Sequence, residues 1–149
     1  MNTPHIIHNP KNVTRHLNLL EQLASQNIEE WETSPAIYAN TRRSKDAGRV
    51  GVALAHKKIV EDNYNKEQIT IFEDDIVFTS KDSWKKYWEW YEELPENWQV
   101  YTGGCYRINS KVSVTDNLEM LRGFGGAHFY TIRKRYYDKF LACPESKHI

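Results

Sequence analysis

Three carboxylates stand side by side in "QITIFEDDIVF": Glu73, Asp74 and Asp75, set between two runs, residues 69–72 and 76–78, that are apolar but for Thr70. Adjacent ionised carboxylates repel one another, and apolar surroundings sharpen the repulsion. A divalent cation relieves it directly, because manganese, magnesium and calcium take hard oxygen ligands and reverse the local charge balance. Side chains alternate along an extended backbone, so Glu73 and Asp75 share one face and Asp74 takes the other. Two acids on one face are what a metal site of the DxD kind requires. The bland alternative is a solvated acidic turn between two strands.

Such a cluster needs a rigid element behind it. Residues 69–72 are β-branched and aromatic and read as a buried strand, and in open α/β sheets ligands gather outside the carboxyl ends of the strands. Upstream, "HIIH" is a short apolar run ended by Asn9, a helix cap with Pro10 at the first helical position. Val13, Leu17, Leu20 and Ala24 recur at helical spacing and mark the inward face, with Asn27 as the stop. "SPAIYANTRRSKDAGR" is polar and turn-rich around a short strand at residues 36–38.

A second helix is expected from Arg49 to Tyr64, with Val52, Ala53, Ile59 and Val60 inward. His56 shares that face, either as a buried hydrogen-bonded histidine or as a ligand contact. A third helix, capped near Ser80 and stopped by Pro95, carries Trp84, Tyr87, Trp88, Tyr91 and Leu94 on its packing side and Trp90 as an exposed ring. Then come a strand ending in Gly103 and Gly104, two strands joined by glycine-rich turns, and a closing helix at "KRYYDKFLAC". Strand and helix alternate through the first hundred residues. The expected architecture is an α/β sandwich, with a largely parallel sheet made mixed by the later segments.

Composition bounds the function. The chain of 149 residues fits one domain spanning residues 1–149, and its 20 basic and 20 acidic side chains cancel, so no global positive field collects nucleic acid. A mean hydropathy of -0.74 and the lack of a long apolar run point to no integral membrane segment, and the absence of a leader to a cytoplasmic location. Cys105 and Cys143 have neither disulfide-framework nor zinc spacing.

The segments "IIHNPKNVTRH", "RVGVALAHKKI", "ITIFEDDIVF" and "GGAHFYTIRKRYYDKFL" occur in an order that resembles family 25 glycosyltransferases, the lipooligosaccharide and collagen hydroxylysine galactosyltransferases. The likeness covers nearly the whole chain. It implies a GT-A fold, a nucleotide-binding α/β/α sandwich in which an acidic motif holds Mn2+ (or Mg2+) against the diphosphate of a UDP-sugar. A hexose would pass, with inversion, to a hydroxyl of a glycan or other polyhydroxylated acceptor, as in lipopolysaccharide biosynthesis.

By that resemblance Asp75 is the principal metal ligand, joined by Glu73, while Glu73 and Asp74 reach the donor. Arg15, Arg49, Gly51 and His56 fall at the donor site, and Gly126, His128 and Tyr130 beside the sugar. Asp74 and Asp116 are the candidates for the general base that deprotonates the acceptor. The sequence departs from the family at His8 or Asn9, where an Asn is usual, and at Ala55, where a Ser is usual. Related chains also continue past "ESKHI" into an acceptor-side segment, so a donor-binding core truncated at its C-terminus is expected. Two other readings remain open: a non-catalytic nucleotide-sugar or carbohydrate-binding module derived from such an enzyme, and a metal-dependent phosphoryl-transfer enzyme.

Overall fold

A central strand explains the arrangement of the rest. In this computed structural model, which describes residues 3–39 and 44–144, Gln68–Glu73 (β3) has its four middle residues buried on both faces. It lies third in a five-stranded sheet of order β2-β1-β3-β7-β4, where β1 is His5–His8, β2 Glu32–Pro35, β4 Val100–Tyr106 and β7 Gly125–Arg133. β1 pairs in parallel with both β2 and β3, whereas β7 runs antiparallel to β3 and β4. Four strands therefore point one way and β7 the other, a mixed α/β sheet of mostly one direction. β5 (Ser110–Ser113) and β6 (Glu119–Arg122) form a separate antiparallel ribbon between β4 and β7.

Alternation along the strands builds two cores. On one face Ile6, Phe72 and Phe129 pack with Leu19 and Leu23 of α1 (Val13–Ser25) and with Trp84 and Tyr87 of α3 (Ser83–Tyr91). On the other, Ile7, Ile71, Tyr130 and Ile132 pack with Ala55, Ile59 and Val60 of α2 (Ser44–Asp62) and Tyr137 of α4 (Tyr137–Ala142). Helices thus cover both faces of the sheet in three layers. Each fully buried aliphatic side chain contributes about 1.5–3 kcal/mol toward holding them together. Thr70 and Thr131, buried at the sheet centre, satisfy each other at 2.9 Å, and the Tyr87 hydroxyl donates to Thr131 Oγ1 at 2.8 Å. Among the described residues, no helix is long and apolar enough to cross a membrane.

Several local expectations are corrected. α1 is capped by Asn12, whose side chain accepts from the Arg15 N–H, while Asn9 and Pro10 form a preceding turn closed by the Asn12 N–H on the Asn9 carbonyl. The cap shifts by three residues, and the buried face becomes Leu19 and Leu23; Val13, Leu17 and Leu20 face outward. Asn27 does end the helix, in the left-handed conformation at φ 55° that helix exits favour. The strand expected at residues 36–38 lies at Glu32–Pro35, where the edge position tolerates the proline that lacks a donor. Trp90 is half-buried against the first core rather than an exposed ring. The β5 strand, all of it exposed, has no apolar alternation to announce it.

Candidate functional site

At the carboxyl end of β3 the backbone turns, with the Ile76 N–H bonded to the Glu73 carbonyl, and the three acids separate. Glu73 and Asp75 face β7, and Asp74 faces β1 and α1. The expected division of faces holds, although only Glu73 is still in the strand.

Asp74 is buried and fully occupied. Its Oδ2 accepts from His8 Nδ1 at 3.0 Å and from the Asn9 N–H at 3.3 Å, and its Oδ1 accepts from the Arg15 guanidinium at 2.7 Å. Burial alone would push this carboxyl up, but His8, Arg15 and the Asn9 N–H outweigh it and hold it below its ordinary value. The same bond raises Arg15. His8 continues the network to His16, Nε2 to Nδ1, at 3.0 Å. A carboxylate so engaged ties α1 to the sheet and keeps Arg15 aimed at the site. It is a poor proton acceptor, which counts against Asp74 as the base.

Glu73 is held between two histidines. Its Oε1 meets His56 Nε2 at 3.2 Å, and its Oε2 meets His128 Nδ1 at 3.3 Å. Burial pushes this carboxyl up too, and again the histidines win, leaving it below the usual range. His56 is itself fixed by the Tyr130 hydroxyl at 2.7 Å from Nδ1. Its place is therefore behind Glu73, as the buried histidine of the two readings, and Tyr130 stands behind His56.

His128 also lies 3.4 Å from Asp75 Oδ1. Glu73, Asp75 and His128 each offer one ligand atom, all within 4.8 Å of one another. A single cation can span such a set. The residues fit a divalent metal: two carboxylate oxygens and an imidazole nitrogen suit Mn2+ better than Mg2+, which prefers oxygen throughout. Side-chain exposures of 21, 39 and 42% for Glu73, Asp75 and His128 leave one side open to solvent, where further ligands can enter.

Beside this triad is a cavity of about 240 Å³, lined by Asn9, Asn12, Arg15 and Tyr38 together with Glu73 and Asp74. The Asn9 amide donates to the Tyr38 hydroxyl across its edge. Arg15 also approaches Asp75 at 3.8 Å, so one cation serves both carboxylates.

The remaining expected residues divide. Gly51 is buried where a Cβ would come 2.0 Å from the Ile37 carbonyl oxygen, so it lets α2 press onto the segment that carries Tyr38. Its part is packing behind the cavity. Arg49 stands exposed on α2, one turn before Val52, which lines the cavity. Gly126, at φ 70°, lies under the Tyr106 ring, where a Cβ would come 1.7 Å from a ring carbon. Asp116 is not brought to the cluster. It sits in the turn between β5 and β6, where Thr115 and Asn117 on either side bond Glu93 just past the end of α3. That end lies toward the start of β3, since Tyr91 bonds Gln68, and so away from Glu73.

Sequence reasoning missed Asn12, Tyr38 and Tyr106 as parts of the site and met His8 only as a departure from the family motif. The missed residues approach only through tertiary packing. Neither a protein-family model nor a curated protein matches the chain.

Proposed function

We propose that the protein is a metal-dependent glycosyltransferase of GT-A type that uses Mn2+ and a UDP-sugar and transfers a hexose to a hydroxyl of a glycan or similar acceptor. The observation that carries this reading is the convergence of Glu73, Asp75 and His128 at the carboxyl end of a strand, with Glu73 also lining a cavity of mixed polar and apolar character. The motif order in the sequence supplies the reaction class. A cation at the triad would act as Lewis acid on the departing nucleoside diphosphate. Glu73, fixed by His56, and Asp75 would hold it; Arg15, fixed by Asp74, would meet phosphate negative charge at the cavity edge. Asn9, Asn12 and Tyr38 offer donors and acceptors to a nucleoside.

One observation favours a second reading, a nucleotide-sugar-binding module without turnover. Asp74 is locked in its own network and Asp116 stands away from the cluster, which leaves the acceptor's proton without the base expected for it. Calorimetric titration of UDP, with and without Mn2+, on the native protein and on Asp75→Ala tests the binding. Manganese should tighten UDP in the native protein and not in the variant. Equal affinities with and without the metal would sink both readings. Release of hexose from a UDP-hexose then separates enzyme from module.

A further inference from the structure

Arg107 follows β4 and has an uncommon backbone. Its φ is 55°, the left-handed region in which a Cβ-bearing residue without a short polar side chain is disfavoured. Strain of this kind persists where the surroundings hold it, and it collects at ligand sites. The Asn27 case is explained by a helix exit. No helix ends at Arg107.

The side chain gives the reason a direction. The Arg107 guanidinium carbon stands 5.6 Å from the centre of the Tyr106 ring. That ring lies against the bare backbone of Gly126 and is stacked beside His128, ring centres 6.2 Å apart and planes 30° apart. The guanidinium is therefore no more than these two steps from an imidazole of the triad. Among the described residues, no carboxylate pairs with Arg107, whereas Arg15 is already bonded to Asp74. Tyr106 remains 47% exposed, so the stack stands at the surface of the site and not in the core.

We propose that Arg107, held on the Tyr106 ring, is a second cationic contact for the diphosphate of a nucleotide bound at the triad, approaching from the β7 side as Arg15 does from α1. This rests on the function proposed above. A guanidinium matches the geometry of phosphate oxygens, and its stacking on an aromatic ring limits the freedom it would lose on binding. The left-handed backbone lies where the chain leaves β4 for the ribbon, at the residue whose guanidinium stands over the ring. Gly126 leaves room for that ring, since any side chain there would displace Tyr106.

The test compares stability and affinity in one variant. Arg107→Gly relaxes the backbone, so the melting temperature should stay level or rise by roughly 2–4 °C. In the presence of Mn2+ the same variant should bind UDP about tenfold more weakly, while uridine, which has no phosphate, binds as before. Arg107→Lys should recover part of the UDP affinity, and Tyr106→Ala should lose it with Arg107 intact. A merely structural residue would lower melting temperature and affinity together, and that result overturns the proposal, as does native UDP affinity in Arg107→Gly. If the native protein shows no manganese-dependent UDP binding, the functional reading fails and takes this one with it; if it does and Arg107→Gly matches it, only the role of Arg107 fails.

Discussion

His56 and Glu73 form the buried joint of the site, with Nε2 3.2 Å from Oε1 and the far ring nitrogen closed by the Tyr130 hydroxyl at 2.7 Å. The arrangement that satisfies all three groups has His56 donating to Glu73 and accepting from Tyr130. A chain of this kind fixes the direction of the Glu73 carboxylate, and the histidines hold it below its ordinary value against the opposing push of burial. Replacing His56 by Ala should therefore weaken Mn2+ binding by about 10–100-fold with the ligand set intact. Tyr130→Phe should do less, because it frees only the outer end. Mn2+ titration by calorimetry checks both, and unchanged affinity in His56→Ala would mean that Glu73 needs no support.

Acid stability follows from the same partners. Glu73 and Asp74 both sit below the ordinary carboxylate range, since their histidine and arginine partners outweigh burial. A depressed folded value means that the unfolded chain binds protons first as the pH falls. The contribution is thus fully present above the unfolded value of about 4 and is lost as pH drops through the lower folded values. Denaturant unfolding between about pH 3 and 7 should show stability falling at the acid end. Asp74→Asn should cost about 1–3 kcal/mol at neutral pH and flatten that acid limb. A variant with an equally steep limb would show that Asp74 does not carry it.

Gly51 sets two helical effects against each other. Alanine in a helix interior is favoured over glycine by about 1 kcal/mol, so a solvent-facing position would gain from the change. Here the added Cβ would stand 2.0 Å from the backbone oxygen of Ile37, which is not the flexible end of a side chain. Overpacking against backbone costs about 1–3 kcal/mol and should win. Gly51→Ala is expected to lose stability in urea unfolding and to weaken UDP binding, because the shifted segment carries Tyr38 to the cavity. A gain in stability would show that α2 has room to move there.

How much of this was legible in the sequence depended on the range of the signal. Glu73 and Asp75 could be paired in advance because strand alternation is local, and the placement of His56 on a helix face with Ile59 and Val60 depended only on a repeat of three or four residues. The three layers followed from the order of strands and helices. His128 as the third member of the triad depended on β7 pairing beside β3, Phe72 opposite Phe129, a contact between segments 57 residues apart in number and so invisible to any window. Tyr106 and Arg107 depended on the irregular register of β4 against β7, where the ladder shifts at Gly104 and again at Tyr106. The pairing of the two acids was thus readable, and the placing of Tyr106 and Arg107 was not.

The first helix gives the sharpest test of where local reading failed. Two apolar series run along it, Val13, Leu17 and Leu20 in one and Leu19 and Leu23 in the other, and the choice of cap decides between them only indirectly. Tertiary packing chose the second: Leu19 is 3% and Leu23 1% exposed, against 60% for Leu17. The polar residues agree, since the chosen orientation also brings Arg15 to Asp74 and His16 to His8. Turning the helix to bury Leu17 would break both contacts and leave the buried Asp74 carboxylate with His8 and the Asn9 N–H alone. Leu23→Ala should therefore cost about 2–5 kcal/mol in denaturant unfolding. Leu17→Ala should stay within about 0.5 kcal/mol of the native protein, as a surface substitution does. If the two costs were reversed, α1 would be facing the sheet with its other side, and Arg15 could not reach Asp74 nor His16 reach His8.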